Sequence, residues 1–176
     1  MDRSDTPGPG ALKVGVLKVM LACLTSISQK LPREENEHSR KLLLKYFTAE
    51  NVKARFEMLS AQSLPQASCS EDSSEEALLA AQMVPLYLQI VSVVSRACGG
   101  IIDGDQDLER SFGLDPTSVL AEFTRCCKSN VSDEIIASHS LATASILRAM
   151  GRTEIILDAV HTSFKEFKSK VRVLVI

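Results

Sequence analysis

Tryptophan is absent from the 176 residues, and only two tyrosines are present. A surface that stacks nucleic-acid bases on aromatic rings is therefore poorly supplied. Glycine is sparse, eight in all, and forms no phosphate-cradling loop. Histidine occurs three times, and no serine or cysteine sits in a recognisable nucleophile elbow. Five cysteines at irregular spacing (Cys23, Cys69, Cys98, Cys126, Cys127) do not spell a disulfide framework. Reduced thiols in cytosol or nucleus are the expectation. Neither sign of charge dominates, with 20 basic and 22 acidic residues, so the chain as a whole is no polycation. No uninterrupted apolar run reaches the roughly 18 residues of a membrane span. The best candidate, Met83 to Val94, contains Pro85 and Gln89 and stops at Arg96. No membrane partner is expected. The opening MDRSDTPGPG is acidic where a secretory signal would be basic.

What is present is a 45% hydrophobic composition, enough for a core. The length suits one domain. Residues 1–10 read as a disordered leader, 11–172 as the domain and 173–176 as an apolar tail. Leu12, Val16, Val19, Met20, Cys23, Leu24 and Ile27 recur at helical spacing, and Pro32 ends that helix. A second helix is expected from Glu34 to Phe47. Thr48 caps a third, with Val52, Phe56 and Leu59 inward. Residues 62–75, rich in serine and acid, read as a flexible loop and the first place for proteolysis. Ser73 or Ser74 caps a helix running to Cys98, apolar on nearly every side and hence central, with a kink expected at Pro85. Asp115-Pro116 starts a helix to Lys128. Ser132 starts another that Gly151 stops, and Thr153 begins a last one. Strand patterning is confined to the final RVLVI. About seven helices give an all-α fold, a helical-repeat stack with an irregular helical bundle as the alternative.

Val119, Leu120, Phe123 and Cys127 mark one helix face. Asn130 to Glu134 form a polar turn. Ile135, Ala137, Leu141, Ala142, Ile146 and Leu147 line a second helix ending at Met150-Gly151, and Ile156 and Val160 open a third. This pattern, over about residues 116–170, resembles HEAT or armadillo-type helical repeats. The resemblance implies stacked helix pairs whose concave face binds other proteins.

Apparent chemical motifs each fail a physical requirement. Asp103, Asp105 and Asp107 have calcium-loop spacing, but Leu108 and Leu114 stand where the loop needs glycine and a bidentate glutamate. Cys126 and Cys127 are neighbours on a helix, about 100° apart, so they do not converge on one zinc. One is expected in the core and the other partly exposed. Leu147-Arg148-Ala149-Met150-Gly151 imitates a death-regulator helix, but Arg152 replaces the aspartate such a helix needs. Leu79, Met83, Leu86 and Leu88 match export-signal spacing and read instead as core. No cofactor or metal is expected, and the chain reads as non-catalytic.

Two features point to contact with partners. Ser68 and Ser73 each precede a glutamate by three residues, the spacing of acidophilic phosphorylation, and a phosphate on Ser73 would lie at a helix start. Charge is also segregated: nine basic and five acidic residues over 11–62, two and nine over 63–115, eight and six over 116–176. The last helix joins an apolar stripe, Phe164, Phe167 and Val171, to a basic edge, Lys165, Lys168, Lys170 and Arg172, as a partner surface. The expected function is a protein-interaction adaptor or scaffold component of an intracellular complex, in cytoplasm or nucleus, as a short form or piece of a longer repeat protein. The alternative is a nucleic-acid-associated module, in DNA repair or chromatin, using the basic last helix.

Overall fold

The chain's proline, glycine and capping residues divide it into helices, and the computed structural model describes residues 9–30, 36–62, 74–98, 112–129 and 131–158. These form α1 (Pro9–Ser28), α2 (Glu37–Tyr46), α3 (Ala49–Gln62), α4 (Ser74–Cys98), α5 (Pro116–Lys128) and α6 (Asp133–Ala149). A further helical segment, α7, occupies 153–158. The described residues are helical with no strand, so the protein is all-α.

The ends obey local chemistry. Asn51 N donates to Thr48 Oγ1 at 3.3 Å, as the expected cap of α3 requires. Asp115 accepts from the backbone of Thr117 and Ser118 at the start of α5, with Pro116 in the first turn. Hydrogen bonds from the hydroxyls of the same two residues, with a smaller part from these backbone bonds, hold the Asp115 carboxyl below its ordinary range. Ser132 occupies the cap position of α6 but makes no side-chain bond there. Gly151, at φ +70°, closes α6. Its N–H donates to Arg148 O at 3.1 Å and Arg152 N to Leu147 O at 2.9 Å, the paired bonds of a Schellman turn.

Several features depart from expectation. α2, expected over Glu34 to Phe47, spans Glu37–Tyr46. α1 begins at Pro9, inside the supposed leader, because proline tolerates the first helical turn. α3 continues through Gln62 and α4 begins by Ser74, both inside the range expected as loop, and the rest of that expected loop, 63–73, lies outside the described residues. α4 runs on through Pro85 without a break. Neighbouring helices enclose this stretch, and Pro85 is fully buried.

α4 is the axis. α1, α2, α3 and α6 all pack on it, and α5 packs on α6. Val84, Leu88, Ile90, Val91, Val94 and Cys98 are wholly inaccessible. Burying each aliphatic side chain contributes about 1.5–3 kcal/mol. They share one core with Val14 and Leu24 of α1, Val52, Phe56 and Leu59 of α3, and Ala142, Ile146 and Leu147 of α6. A satellite cluster of Ala81, Cys126 and Ile135 ties α4 to α5 and α6. Ser92 Oγ donates to Ser145 O at 3.3 Å across the α4–α6 contact.

Candidate functional site

α1 has two apolar faces. Val14 and Leu24 are buried, and Leu17 and Leu21 are half-buried against the core. At about 100° per residue the opposite side carries Leu12, Val16, Val19, Met20, Cys23 and Ile27. Leu12, Val16 and Val19 are 61%, 59% and 65% exposed. Met20, Cys23 and Ile27 are exposed too. Of the residues that announce this helix in the sequence, therefore, only Leu24 enters the core. Gly10–Ser28 and Leu78–Cys98 are both long and apolar enough to cross a membrane by length and composition, which corrects the expectation that no stretch would be. Lys13 and Lys18 break the continuous run without lowering the mean hydropathy enough. The two differ in burial: 11% of the α1 window is buried against 72% of the α4 window.

A polar seam joins α3 to α5. Ser60 Oγ donates to Glu122 Oε2 at 2.6 Å. Arg125 Nη2 meets the same carboxylate oxygen at 2.5 Å and donates to Ser60 O at 2.5 Å. The Glu122 side chain is 7% exposed and that of Arg125 41%. These residues line a shallow, open depression of about 350 Å³ with Phe56, Ser118 and Ala121. Ser60 donates its O–H to a carboxylate already engaged by a guanidinium, an arrangement that ties two helices together.

His139 lies beneath the seam, 2% exposed. Its ring is 6.0 Å from that of Phe123, and Nδ1 is 3.4 Å from Thr143 Oγ1. Burial lowers its pKa below 6.5, partly opposed by the Glu122 carboxylate. Burial likewise pushes the Tyr87 hydroxyl up to about 12 and raises the thiols of Cys98, Cys126 and Cys127. Such thiols are poor nucleophiles.

Ser68, Ser73, Phe164, Lys165, Phe167, Lys168, Lys170, Val171 and Arg172 lie outside the described residues, as do Asp103, Asp105 and Asp107. Cys126 is buried and Cys127 exposed, the division expected of adjacent helical positions. Among the described residues no three His, Cys, Asp or Glu converge as metal ligands. Met83 and Leu88 are buried, with Leu79 and Leu86 half-buried on the same core.

On α5 the inward face is turned by one position from the expected one. Val119, Glu122 and Cys126 are buried, whereas Cys127 is exposed. The Ser60 and Arg125 partners make burial of Glu122 tolerable, and that rotates the stripe. On α6, Ala137 and Leu141 also face outward. Arg40 was not singled out by pattern: it is 7% exposed on α2, and its Nε is the one buried side-chain polar atom without a hydrogen-bond partner among the described residues. Its carbonyl accepts a weak 3.9 Å bond from Cys98 Sγ. A cationic residue between charged and polar neighbours carries no periodic apolar signal that would reveal such burial.

Compared with family models, curated proteins and solved structures, the chain matches none.

Proposed function

We propose that the chain is a non-catalytic protein-interaction module, an adaptor or scaffold component of an intracellular complex. The observation that carries this reading is the outward aliphatic face of α1, held on a helix whose other face is seated in the core. A contiguous apolar surface on a well-packed domain favours association, because covering it removes apolar area from water. The seat on α4 also orders the helix in advance, so a partner need not supply that ordering.

The test is affinity capture with cross-linking from cells, comparing the native chain with a Val16→Glu/Val19→Glu variant that keeps its helical content. The variant is expected to lose the captured protein, and the native complex is expected to survive added salt. Nucleic-acid contact would instead weaken steeply with salt. Unchanged capture by the variant would refute the reading. So would a turnover reaction abolished by replacing one polar residue in an intact fold.

A further inference from the structure

We propose that the outward face of α1 docks the chain on an anionic phospholipid surface, with the helix lying in the plane of the interface and the domain behind it in water. The inference goes beyond the adaptor reading, because a lipid surface and a protein are alternative occupants of one face. The two lysines of α1 set the geometry. At about 100° per residue, Lys13 and Lys18 divide the helix circumference into two arcs. The shorter, about 140°, holds Val14, Leu17, Leu21 and Leu24, the residues seated on the core. The longer, about 220°, faces away from it and carries all six exposed apolar residues, Leu12, Val16, Val19, Met20, Cys23 and Ile27.

Nothing on the outward arc resists an apolar surrounding. Besides the six apolar residues it holds small ones, Gly15 and Ala22 among them. Its one hydroxyl, on Ser26, already donates to Ala22 O at 2.9 Å. Burying that group therefore strands no donor. Lys13 and Lys18 are exposed at the two rims of the arc. A lysine at such a rim lays its stem along apolar surface and lifts its ammonium to the level of the headgroup phosphates. An arc this wide, edged by cations on both sides, fits a plane better than the narrow seam of a single partner helix.

Charge selects the lipid. Residues 6–33 contain no aspartate or glutamate and four bases, Lys13, Lys18, Lys30 and Arg33. Lys30 is exposed just beyond Ile27, at the end of the apolar band. Anionic headgroups attract these cations, and no carboxylate in the helix opposes them. Charge elsewhere on the chain is screened beyond a Debye length of about 8 Å. α1 also has none of the tryptophan or tyrosine that holds helices at neutral interfaces, so the hold depends on anionic lipid. Although Gly10–Ser28 is long and apolar enough to cross a bilayer, Val14 and Leu24 are buried in the core. Spanning would strip them from α4, whereas lying flat leaves that contact whole.

The experiment uses the purified full chain and co-sedimentation with vesicles of phosphatidylcholine, alone or with about one third phosphatidylserine. The anionic vesicles should bind the chain at physiological salt, and the neutral ones at least about tenfold less well. Val16→Glu/Val19→Glu and Lys13→Gln/Lys18→Gln/Lys30→Gln should each weaken binding about a hundredfold while leaving the helical circular dichroism unchanged. Orientation is read with a polarity-sensitive maleimide dye. On Cys23, with Cys69 and Cys127 replaced by serine, its emission should shift to the blue on anionic vesicles. On Cys127 of α5, which packs on α6, with Cys23 and Cys69 replaced, it should not.

Absence of binding to anionic vesicles would overturn the proposal, as would equal binding to neutral ones, binding indifferent to either α1 variant, or a dye on Cys23 that stays in water. Self-association through α1 that hides the face from vesicles would overturn it too. The two readings separate cleanly. If vesicles are ignored but Val16→Glu/Val19→Glu still loses the cellular protein, lipid docking fails and the contact module stands. If vesicles bind through α1 but cellular capture by the variant is unchanged, lipid docking stands and the adaptor reading fails.

Discussion

Replacing Gly113 by alanine should destabilise the domain by about 3 kcal/mol, a cost that the structure divides between a left-handed backbone conformation and one close backbone contact. Gly113 sits between the buried side chains of Phe112 and Leu114, at φ +62°. An L-residue in this left-handed region costs roughly 1–2 kcal/mol. A Cβ at 113 would lie 2.6 Å from Ala49 O and 3.0 Å from Ala49 C, in the first turn of α3. That neighbour is backbone and cannot rotate away, so the segment or the helix must shift, an overpacking cost of about 1–3 kcal/mol. Lower entropy of the unfolded chain returns about 0.4–1 kcal/mol. Gly151 is the matched control: φ is +70°, but a Cβ there meets nothing within 4 Å. Its alanine variant should lose only about 1 kcal/mol, the conformational cost less the entropy gain. For a chain of this size the melting temperature should fall by about 6–12 °C for Gly113→Ala and about 2–4 °C for Gly151→Ala. Thermal melts followed by circular dichroism, with urea midpoints as a second measure, decide the matter. Equal losses at the two positions would show that the Ala49 contact does not constrain the Phe112–Leu114 segment.

Two further expectations concern the polar seam. Arg125→Ala should cost more than Glu122→Gln, about 3 against about 1 kcal/mol, because the first leaves a buried carboxylate without its guanidinium and the second removes the charge itself; urea denaturation that reverses this order would refute the assignment. His139 should make stability depend on pH: its folded pKa is below 6.5, so the unfolded chain takes up a proton first as pH falls through that value, and stability drops until the folded-state pKa is passed. Melting temperatures over a pH series check this, with a shallower slope expected for His139→Gln.

The all-α class and most helix starts and stops were legible in the sequence, because they rest on local chemistry. Thr48 and Asp115 cap helices by reaching donors a few residues away, and Gly151 ends one by adopting a conformation that other residues resist. The centrality of α4 was legible as well: a helix apolar on nearly every side has nowhere else to go. Which face of a helix turns inward was a different matter. Leu12, Val16 and Val19 repeat in α1 as regularly as Val14, Leu21 and Leu24, and periodicity alone assigns neither set to the core. The α4 contact made that choice, and so created the outward face. On α5 the hydrophobic pattern favoured Phe123 and Cys127, yet Glu122 and Cys126 are buried, since Ser60 from a distant helix supplies the carboxylate with a partner. Local sequence thus determined where the backbone coils, through interactions spanning one helical turn. Tertiary structure decided which side chains leave water, because that depends on groups brought together from positions more than sixty residues apart.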